Sequence, residues 1–307
     1  MDTRARPMGP VEWSLLVALA LLWAGSFFFA KIAVTTLPPL TVVLARVGIA
    51  AVALNLLLVG SGRRMPADLG IWAAFVAMGL LNNLIPFSLI FWGQTRIGSG
   101  LASILNATTP LWTVVVAHLS TRDERMTAGK LAGVAAGIAG VAALLAPTLS
   151  AGAAGDLAAM AAVLGAALSY AAASVFGRRF ARMAVPPFAV ASGQLTAITA
   201  MMLPVVAIVD APWMLRVPGV EVWVSLVALA LLSTALAYVI YFRILATAGA
   251  TNLMLVTLLI PPGAVALGAV LLGELVSPEH LVGFALIGVG LALIDGRLIG
   301  VARRLSG

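Results

Sequence analysis

The sequence predicts an all-α, polytopic membrane protein whose ten transmembrane helices form two inverted five-helix repeats. Of its 307 residues, 62% are apolar and 9% are charged, whereas soluble domains carry about 45–50% apolar and about 25% charged residues. The apolar residues fall into runs of about 20, the length that a spanning helix requires. The two halves of the chain also resemble each other. A soluble globular protein is therefore excluded.

Ten apolar runs, separated by short polar or Pro/Gly-rich stretches, are the predicted spans. They cover residues 13–33, 40–59, 71–92, 101–119, 128–146, 157–176, 188–209, 222–245, 253–272 and 279–294. The first run is too long for a cleaved signal peptide and nine similar runs follow it, so we expect it to remain as a helix. Little of the chain is left for a domain outside the membrane.

The basic residues of the loops are distributed very unequally between the two sides of the membrane. One side has Arg4, Arg6, Arg63, Arg64, Arg122, Arg125, Lys130, Arg178, Arg179, Arg182, Arg243, Arg297, Arg303 and Arg304. The other side has Lys31, Arg96 and Arg216. Because cytoplasmic loops retain positive charge, we predict a bacterial-type inner (plasma) membrane protein with both termini in the cytoplasm.

The remaining composition argues against several classes of partner. The net charge is +7, but no basic tract interleaved with aromatic residues is present, so nucleic acid is not a predicted partner. The chain has no Cys, and His118 and His280 lie far apart and outside any HExxH pattern. We therefore predict neither a metal nor a cofactor. The predicted surrounding partner is the lipid bilayer.

The second half of the chain repeats the first half. At an offset of 151 residues, Trp72, Asn82, Phe87, Phe91, Gly98 and Pro110 match Trp223, Ser233, Tyr238, Phe242, Gly249 and Pro261. At an offset of 150, Glu124, Gly133 and Gly140 match Glu274, Gly283 and Gly290, and at 147 Trp23 and Lys31 match Tyr170 and Arg178. We therefore divide the chain into residues 1–148 and residues 149–307, with five spans each.

An odd number of spans in each half forces the two halves to enter the membrane in opposite orientations. Charge supports this prediction, because equivalent loops of inverted halves should have opposite bias. The loop with Arg122, Arg125 and Lys130 matches one with Glu274 and Glu279 but no basic residue. Many secondary transporters are inverted repeats that alternate between two packings, with the substrate near the midplane.

Three sequence motifs resemble those of the drug/metabolite transporter superfamily, EamA type. They are WAGSFFFAK at 23–31, LLNNLIPFSLIFWG at 80–93 and ASILNATTPLW at 102–112. The resemblance covers nearly the whole chain. It implies two inverted five-helix repeats that export amino acids, other metabolites or drugs through a cavity among the helices other than the fifth and tenth. The resemblance extends to one branch of the family, the YddG-type aromatic amino-acid exporters.

Polar side chains in the middle of two equivalent spans are the first candidates for the substrate site. Asn82 and Asn83 would leave unpaired donors and acceptors if they faced lipid. They either line a cavity or join helices by hydrogen bonds. Their partners Ser233 and Thr234 are hydroxyls, so the two half-sites differ chemically. Thr234 is a candidate for the site, or it bonds a carbonyl of its own helix.

Aromatic residues with hydroxyl-bearing neighbours are candidates for the walls of the site. They are Trp23, Ser26, Phe87, Tyr170, Ser174 and Tyr238. Trp23 matches Tyr170, and Phe87 matches Tyr238, so these rings form two pairs related by the repeat. Such rings either bind an apolar side chain of a substrate or serve only to pack the helices together.

A cation and two prolines complete the candidates. Arg46 is the cation that lies well inside a span, so it either receives a substrate carboxylate or snorkels and pairs with backbone carbonyls. Its partner in the second half is Gln194. Pro110 and Pro261 match and each removes a backbone donor, which makes them candidate hinges, or else static kinks.

Together these features predict a transporter rather than an enzyme. No paired Asp or Ser/Lys or Ser/His arrangement is visible within the spans. All 11 acidic residues lie in termini, loops or last turns of spans, so we predict facilitated rather than proton-coupled export of small metabolites. Amino acids with aromatic or other apolar side chains fit the uncharged midplane best, and efflux of drugs or other metabolites is the alternative. Glycine spacing at 129–137 indicates close packing within the chain or a homodimer, so both monomer and dimer remain open.

Overall fold

The computed structural model describes residues 8–120 and 126–295, and the regular structure of this part is helical throughout. Its ten apolar helices are α1 (Pro10–Ala33), α2 (Pro39–Gly60), α3 (Leu69–Gln94), α4 (Ser99–Ser120), α5 (Ala128–Ser150), α6 (Ala154–Arg182), α7 (Pro187–Val209), α8 (Val220–Gly249), α9 (Val256–Leu272) and α10 (Pro278–Asp295). The first eight are long and apolar enough to cross a membrane, and α9 and α10 are shorter. The predicted fold class of ten helices is confirmed.

Local sequence signals set where several helices begin. The side chain of Asp68 accepts a hydrogen bond from the Ile71 amide (2.9 Å) at the start of α3, and Thr127 does the same for Lys130 (3.3 Å) at the start of α5. These side chains satisfy amides that the helix leaves unpaired. Proline in the first turn, as in α2, lacks an amide that would need a partner there.

The third and eighth helices each contain one π-helical turn at equivalent positions. In α3 the turn covers Leu80–Leu84, and in α8 it covers Leu231–Leu236, which is the offset of 151 found in the sequence. Pro86 follows the first turn, whereas Ala237 stands at the equivalent position after the second. Proline is therefore not required for the π-turn. Such turns are frequent at functional sites, and these two carry the candidate amides and hydroxyls.

The two predicted hinge prolines occupy different surroundings. Helix α4 is interrupted at 107–108, immediately before the segment that begins at Thr109 and contains Pro110. Pro261 instead lies inside the continuous helix α9. In the second half the break before α9 lies at 254–255, and Gly249, whose φ of 80° is non-helical, matches Gly98 at the start of α4. A hinge function at Pro110 and Pro261 stays a prediction.

Helix packing is symmetric under exchange of the two halves. In the first half α1 packs against α8 and α9, and in the second half the equivalent α6 packs against α3 and α4. Helices α2 and α7 contact each other, as do α4 and α9. Symmetric packing of this kind is expected for a duplicated bundle.

The fifth and tenth helices form a close pair through glycines. A Cβ atom added to Gly290 would lie 2.5 Å from the Gly133 carbonyl oxygen, and one added to Gly140 would lie 2.8 Å from the Gly283 carbonyl oxygen. Small residues permit this approach of two backbones. The glycine spacing is thus used for packing within the chain.

We expect Gly290→Leu to destabilise the protein strongly. The new side chain would meet backbone atoms of α5, which cannot rotate away, and overpacking of this kind costs about 1–3 kcal/mol or more. The matched control is Gly288→Leu on the same helix, because a Cβ at Gly288 has no atom within 4 Å. Thermal unfolding in detergent measures both variants. Equal melting temperatures for the two would contradict the predicted contact.

Candidate functional site

Four helices meet at a buried arginine in the centre of the bundle. Arg46 on α2 is 5% exposed. Its Nε donates to Thr234 Oγ1 on α8, and its Nη1 donates to Ser26 Oγ on α1, both at 3.0 Å. Its guanidinium carbon lies 3.8 Å from the centre of the Phe87 ring on α3. Arg46 therefore points into the protein and does not snorkel.

The charge of Arg46 has no carboxylate partner among the described residues. None of these residues accepts a hydrogen bond from its remaining nitrogen, Nη2. Tyr170 and Tyr238 lie within electrostatic reach, but hydroxyls and ring faces do not neutralise a buried cation. The centre of the bundle is therefore suited to an anionic group.

An amide cluster lies beside Arg46 and combines both halves of the chain. Gln194 on α7, the repeat partner of Arg46, is 2% exposed. Its Oε1 accepts from Asn82 Nδ2 at 3.3 Å and from Asn83 Nδ2 at 3.1 Å. Asn82 Nδ2 also donates to the Tyr238 hydroxyl at 3.2 Å. The buried Oδ1 of Asn83 has no hydrogen-bond partner, which leaves an acceptor for a ligand donor.

The π-turns place these polar groups. Thr234 Oγ1 donates to the Leu229 carbonyl of its own helix at 2.8 Å while it accepts from Arg46; its place in a substrate site stays a prediction. The hydroxyl of Ser169 on α6 donates to the Leu81 carbonyl at 2.7 Å. An α-helix would use such carbonyls for its own i→i+4 bonds, whereas a π-turn changes that pattern.

Stacked aromatic pairs flank the polar centre at equivalent positions. Phe87 and Phe91 stack with ring centres 6.0 Å apart, and Tyr238 and Phe242 stack at the same distance. Tyr241 extends this second pair, because it packs edge-on against Phe242. The Trp23 ring lies 6.0 Å from the Tyr241 ring. These rings supply an apolar wall beside the charged and amide groups.

The structure brings most of the predicted site residues together, with one exception. The central group contains Trp23, Ser26, Arg46, Asn82, Asn83, Phe87, Tyr170, Thr234 and Tyr238. Ser174 is exposed and donates to the Ala171 carbonyl of its own helix at 2.8 Å. At the offset of 147 that aligns Trp23 with Tyr170, Ala173 matches Ser26, and one residue rotates a helix by about 100°.

Four residues of the centre were not among the predicted site residues. They are Phe91, Gln194, Tyr241 and Phe242. The repeat contained a signal for one of them, because Gln194 matches the predicted site residue Arg46.

Polar contacts join the two halves at one end of the bundle. Glu274, in the α9–α10 loop, accepts through Oε1 from the Ser99 amide (2.7 Å). Its Oε2 accepts from the Ser99 hydroxyl and the Gly100 amide, both at 3.0 Å. Asp210 Oδ2 after α7 accepts from the Thr41 amide (2.9 Å) and hydroxyl (2.7 Å). We call Thr41, Ser99, Gly100, Asp210 and Glu274 the polar latch.

A lysine braces the same end from within the first half. Lys31 Nζ donates to the Gln94 carbonyl at 2.6 Å and to the Ile97 carbonyl at 2.9 Å. Gln94 Nε2 in turn donates to the Phe27 carbonyl at 2.8 Å. These bonds fix the end of α1 to the α3–α4 turn. Glu274 of the second half binds the residues that follow this turn, Ser99 and Gly100.

The described residues offer no cluster of three His, Asp or Glu side chains that could hold a metal ion. The central group instead combines a cation, amide oxygens and aromatic rings. This combination can bind a carboxylate, an ammonium group and an apolar side chain at the same time.

The sequence profile of the EamA-like transporter family matches residues 12–146 and 157–295. A protein of Streptantibioticus cattleyicolor named "Probable terminal-alkyne amino-acid exporter" is 28% identical over 297 residues, which are 96% of each chain. The "Uncharacterized transporter YoaV" of Bacillus subtilis is 25% identical over 282 residues, or 90% of this chain and 94% of the relative.

A solved crystal structure of a protein whose function is not given in its description has a similar fold. It superposes with a TM-score of 0.64 at 22% sequence identity. The superposition covers 92% of this chain and 97% of the other. The similarity therefore concerns the whole ten-helix arrangement and not a single half.

Proposed function

The chain belongs to the EamA-like transporter family, and from this premise we propose that it exports amino acids with aromatic or other large apolar side chains across the inner membrane. The observation that carries the proposal is the buried guanidinium of Arg46, which is held by Ser26 and Thr234 and has no carboxylate partner among the described residues. A substrate carboxylate would bind this guanidinium through charge-assisted hydrogen bonds and balance its charge.

The neighbouring groups suit the rest of an amino acid. The unpartnered Oδ1 of Asn83 accepts a hydrogen bond from the ammonium group in this proposal. The apolar side chain then packs against the rings of Trp23 and Tyr241. A relative named as an amino-acid exporter supports this substrate class. A cationic drug suits the centre less well, because Arg46 would repel it.

Residues 1–148 and 149–307 act in this proposal as two halves that alternate between two packings. The polar latch then closes the extracytoplasmic end. The described basic residues at the opposite end support a cytoplasmic location for that end; they are Arg63, Arg64, Lys130, Arg178, Arg179, Arg182 and Arg243. The remaining predicted cytoplasmic charges at Arg4, Arg6, Arg122, Arg125, Arg297, Arg303 and Arg304 lie outside the described residues.

The substrate class is tested by efflux from proteoliposomes loaded with radiolabelled phenylalanine, leucine, alanine, glutamate or lysine, or with a lipophilic cation. We expect phenylalanine and leucine to leave fastest, because only they combine a zwitterionic head with a large apolar side chain. Efflux of the cation alone would contradict the proposal and support drug export instead.

We further expect that a pH gradient alone does not drive accumulation. The described acidic residues lie at helix ends or in loops, and none pairs with Arg46. Proton-coupled transporters commonly relay protons through acidic groups inside the membrane. Liposomes with equal substrate on both sides and a pH difference provide the measurement. Accumulation that an uncoupler abolishes would show proton coupling and refute facilitated export.

A further inference from the structure

A basic cavity lies at the end of the bundle opposite the polar latch. It has a volume of about 490 Å³ and is lined by Leu58, Arg63, Arg64, Pro66, Pro186 and Ala189. These residues come from the end of α2, the α2–α3 loop and the start of α7. Leu58 and Ala189 are 2% and 4% exposed, so an apolar base lies beneath the two exposed arginines. We call this the basic cavity.

The two arginines of the basic cavity are free to bind an anion. Neither forms an ion pair with a carboxylate in the described part of the chain. The nearest acid along the chain, Asp68, is used as the cap of α3 and accepts from the Ile71 amide. Among the described residues, no acidic side chain lines the cavity. Guanidinium groups bind phosphate through paired hydrogen bonds, and two arginines line this cavity.

Backbone and side-chain contacts hold this loop in place. The Arg63 amide donates to the Leu58 carbonyl at 3.1 Å, and Trp72 Nε1 donates to the Pro66 carbonyl at 2.8 Å. Tryptophan at a helix end prefers the headgroup region of a membrane. These contacts fix the loop that lines the basic cavity, and Trp72 indicates that the cavity lies near the headgroup region.

Apolar side chains near the end of α2, shortly before Arg63 and Arg64 in the chain, are exposed. Leu56, Leu57 and Val59 are 68%, 52% and 71% exposed, and in a membrane such side chains face acyl chains. A molecule with a phosphate at Arg63 and Arg64 and a hydrocarbon chain beside α2 would satisfy both surfaces. A free phosphate would satisfy only the first.

We propose that the basic cavity is a binding site for an anionic phospholipid. The phosphate of the lipid binds Arg63 and Arg64, and one acyl chain lies along the exposed side chains of α2. Basic pockets between helices at the cytoplasmic side bind anionic headgroups in this way. The proposal is independent of the transported substrate, because the basic cavity lies apart from Arg46.

Native mass spectrometry of the full chain, delipidated in detergent and titrated with phosphatidylglycerol or phosphatidylcholine, tests the proposal. We expect saturable binding of one phosphatidylglycerol in preference to phosphatidylcholine. The double variant Arg63→Gln/Arg64→Gln should bind phosphatidylglycerol about 25-fold more weakly, since each arginine near an anionic lipid contributes about a five-fold gain in affinity.

The matched control is Lys130→Gln/Arg243→Gln, which removes the same charge at the same end outside the basic cavity. We expect it to bind phosphatidylglycerol as the wild type does, and thermal unfolding confirms that both double variants are folded. Equal loss of affinity in the two variants would show a diffuse surface potential and overturn the proposal. Displacement of the lipid by millimolar inorganic phosphate would instead show a site for free anions and would also overturn it.

Discussion

Replacement of Arg46 by glutamine is expected to abolish amino-acid efflux almost completely. The substitution removes the cation that Ser26 and Thr234 hold and that receives the substrate carboxylate in our proposal. Loss of two hydrogen bonds to a charged group, at about 1.5–3 kcal/mol each, lowers transport efficiency by about 100-fold or more. Initial efflux rates of phenylalanine from proteoliposomes measure the effect.

The control for this prediction is Arg216→Gln, which makes the same substitution at an exposed position between α7 and α8. It should leave efflux at the wild-type rate. Thermal unfolding of both variants distinguishes a lost binding group from a lost fold. If the folded Arg46→Gln protein exports phenylalanine at a rate near that of the wild type, the central group does not bind the carboxylate.

Replacement of Glu274 by glutamine is expected to open the end of the bundle that carries the polar latch, which our proposal places on the extracytoplasmic side. The carboxylate accepts three hydrogen bonds, from the amides of Ser99 and Gly100 and from the Ser99 hydroxyl. A glutamine has one acceptor oxygen, so its NH2 group would face at least one of these donors. The lost charge-assisted bonds are each worth about 1.5–3 kcal/mol, which shifts the balance between the two states by about 10- to 100-fold.

Cysteine accessibility measures this shift directly, because the chain contains no natural Cys. A thiol introduced as Ser233→Cys lies in the π-turn of α8, where the serine is 1% exposed. An impermeant thiol reagent applied from outside should label it about ten-fold faster or more in the Glu274→Gln background, in line with the population shift. Glu279→Gln, at an exposed position after the same loop, is the control. Unchanged labelling in the Glu274 variant would show that the latch does not restrict access.

The class of protein and its helices could be predicted from the sequence. Hydropathy is a property of a window of about 20 residues, so the ten spans did not depend on tertiary contacts. The repeat also predicted structural detail: the offset of 151 relates the two π-turns at Leu80–Leu84 and Leu231–Leu236. It likewise relates the two stacked aromatic pairs.

The composition of the site could be predicted less completely. Arg46, Asn82 and Asn83 stood out because polar groups within a span need partners. Gln194 was recognised only as the repeat partner of Arg46, although it accepts from both asparagines. Ser174 was predicted as a wall of the site and is instead exposed; Ala173 is the residue that matches Ser26, and a shift of one residue changes the direction of a side chain by about 100°.

Hydropathy, charge and the internal repeat therefore identify a duplicated ten-helix membrane protein with few polar groups inside its spans. Which of those groups meet depends on how the helices pack. Arg46 and Thr234 are 188 residues apart in the chain and 3.0 Å apart in the bundle. Their contact depends on how α2 and α8 are rotated and packed, and on the π-turn that places Thr234. These are properties of helices in contact with one another, and apolar composition does not encode them.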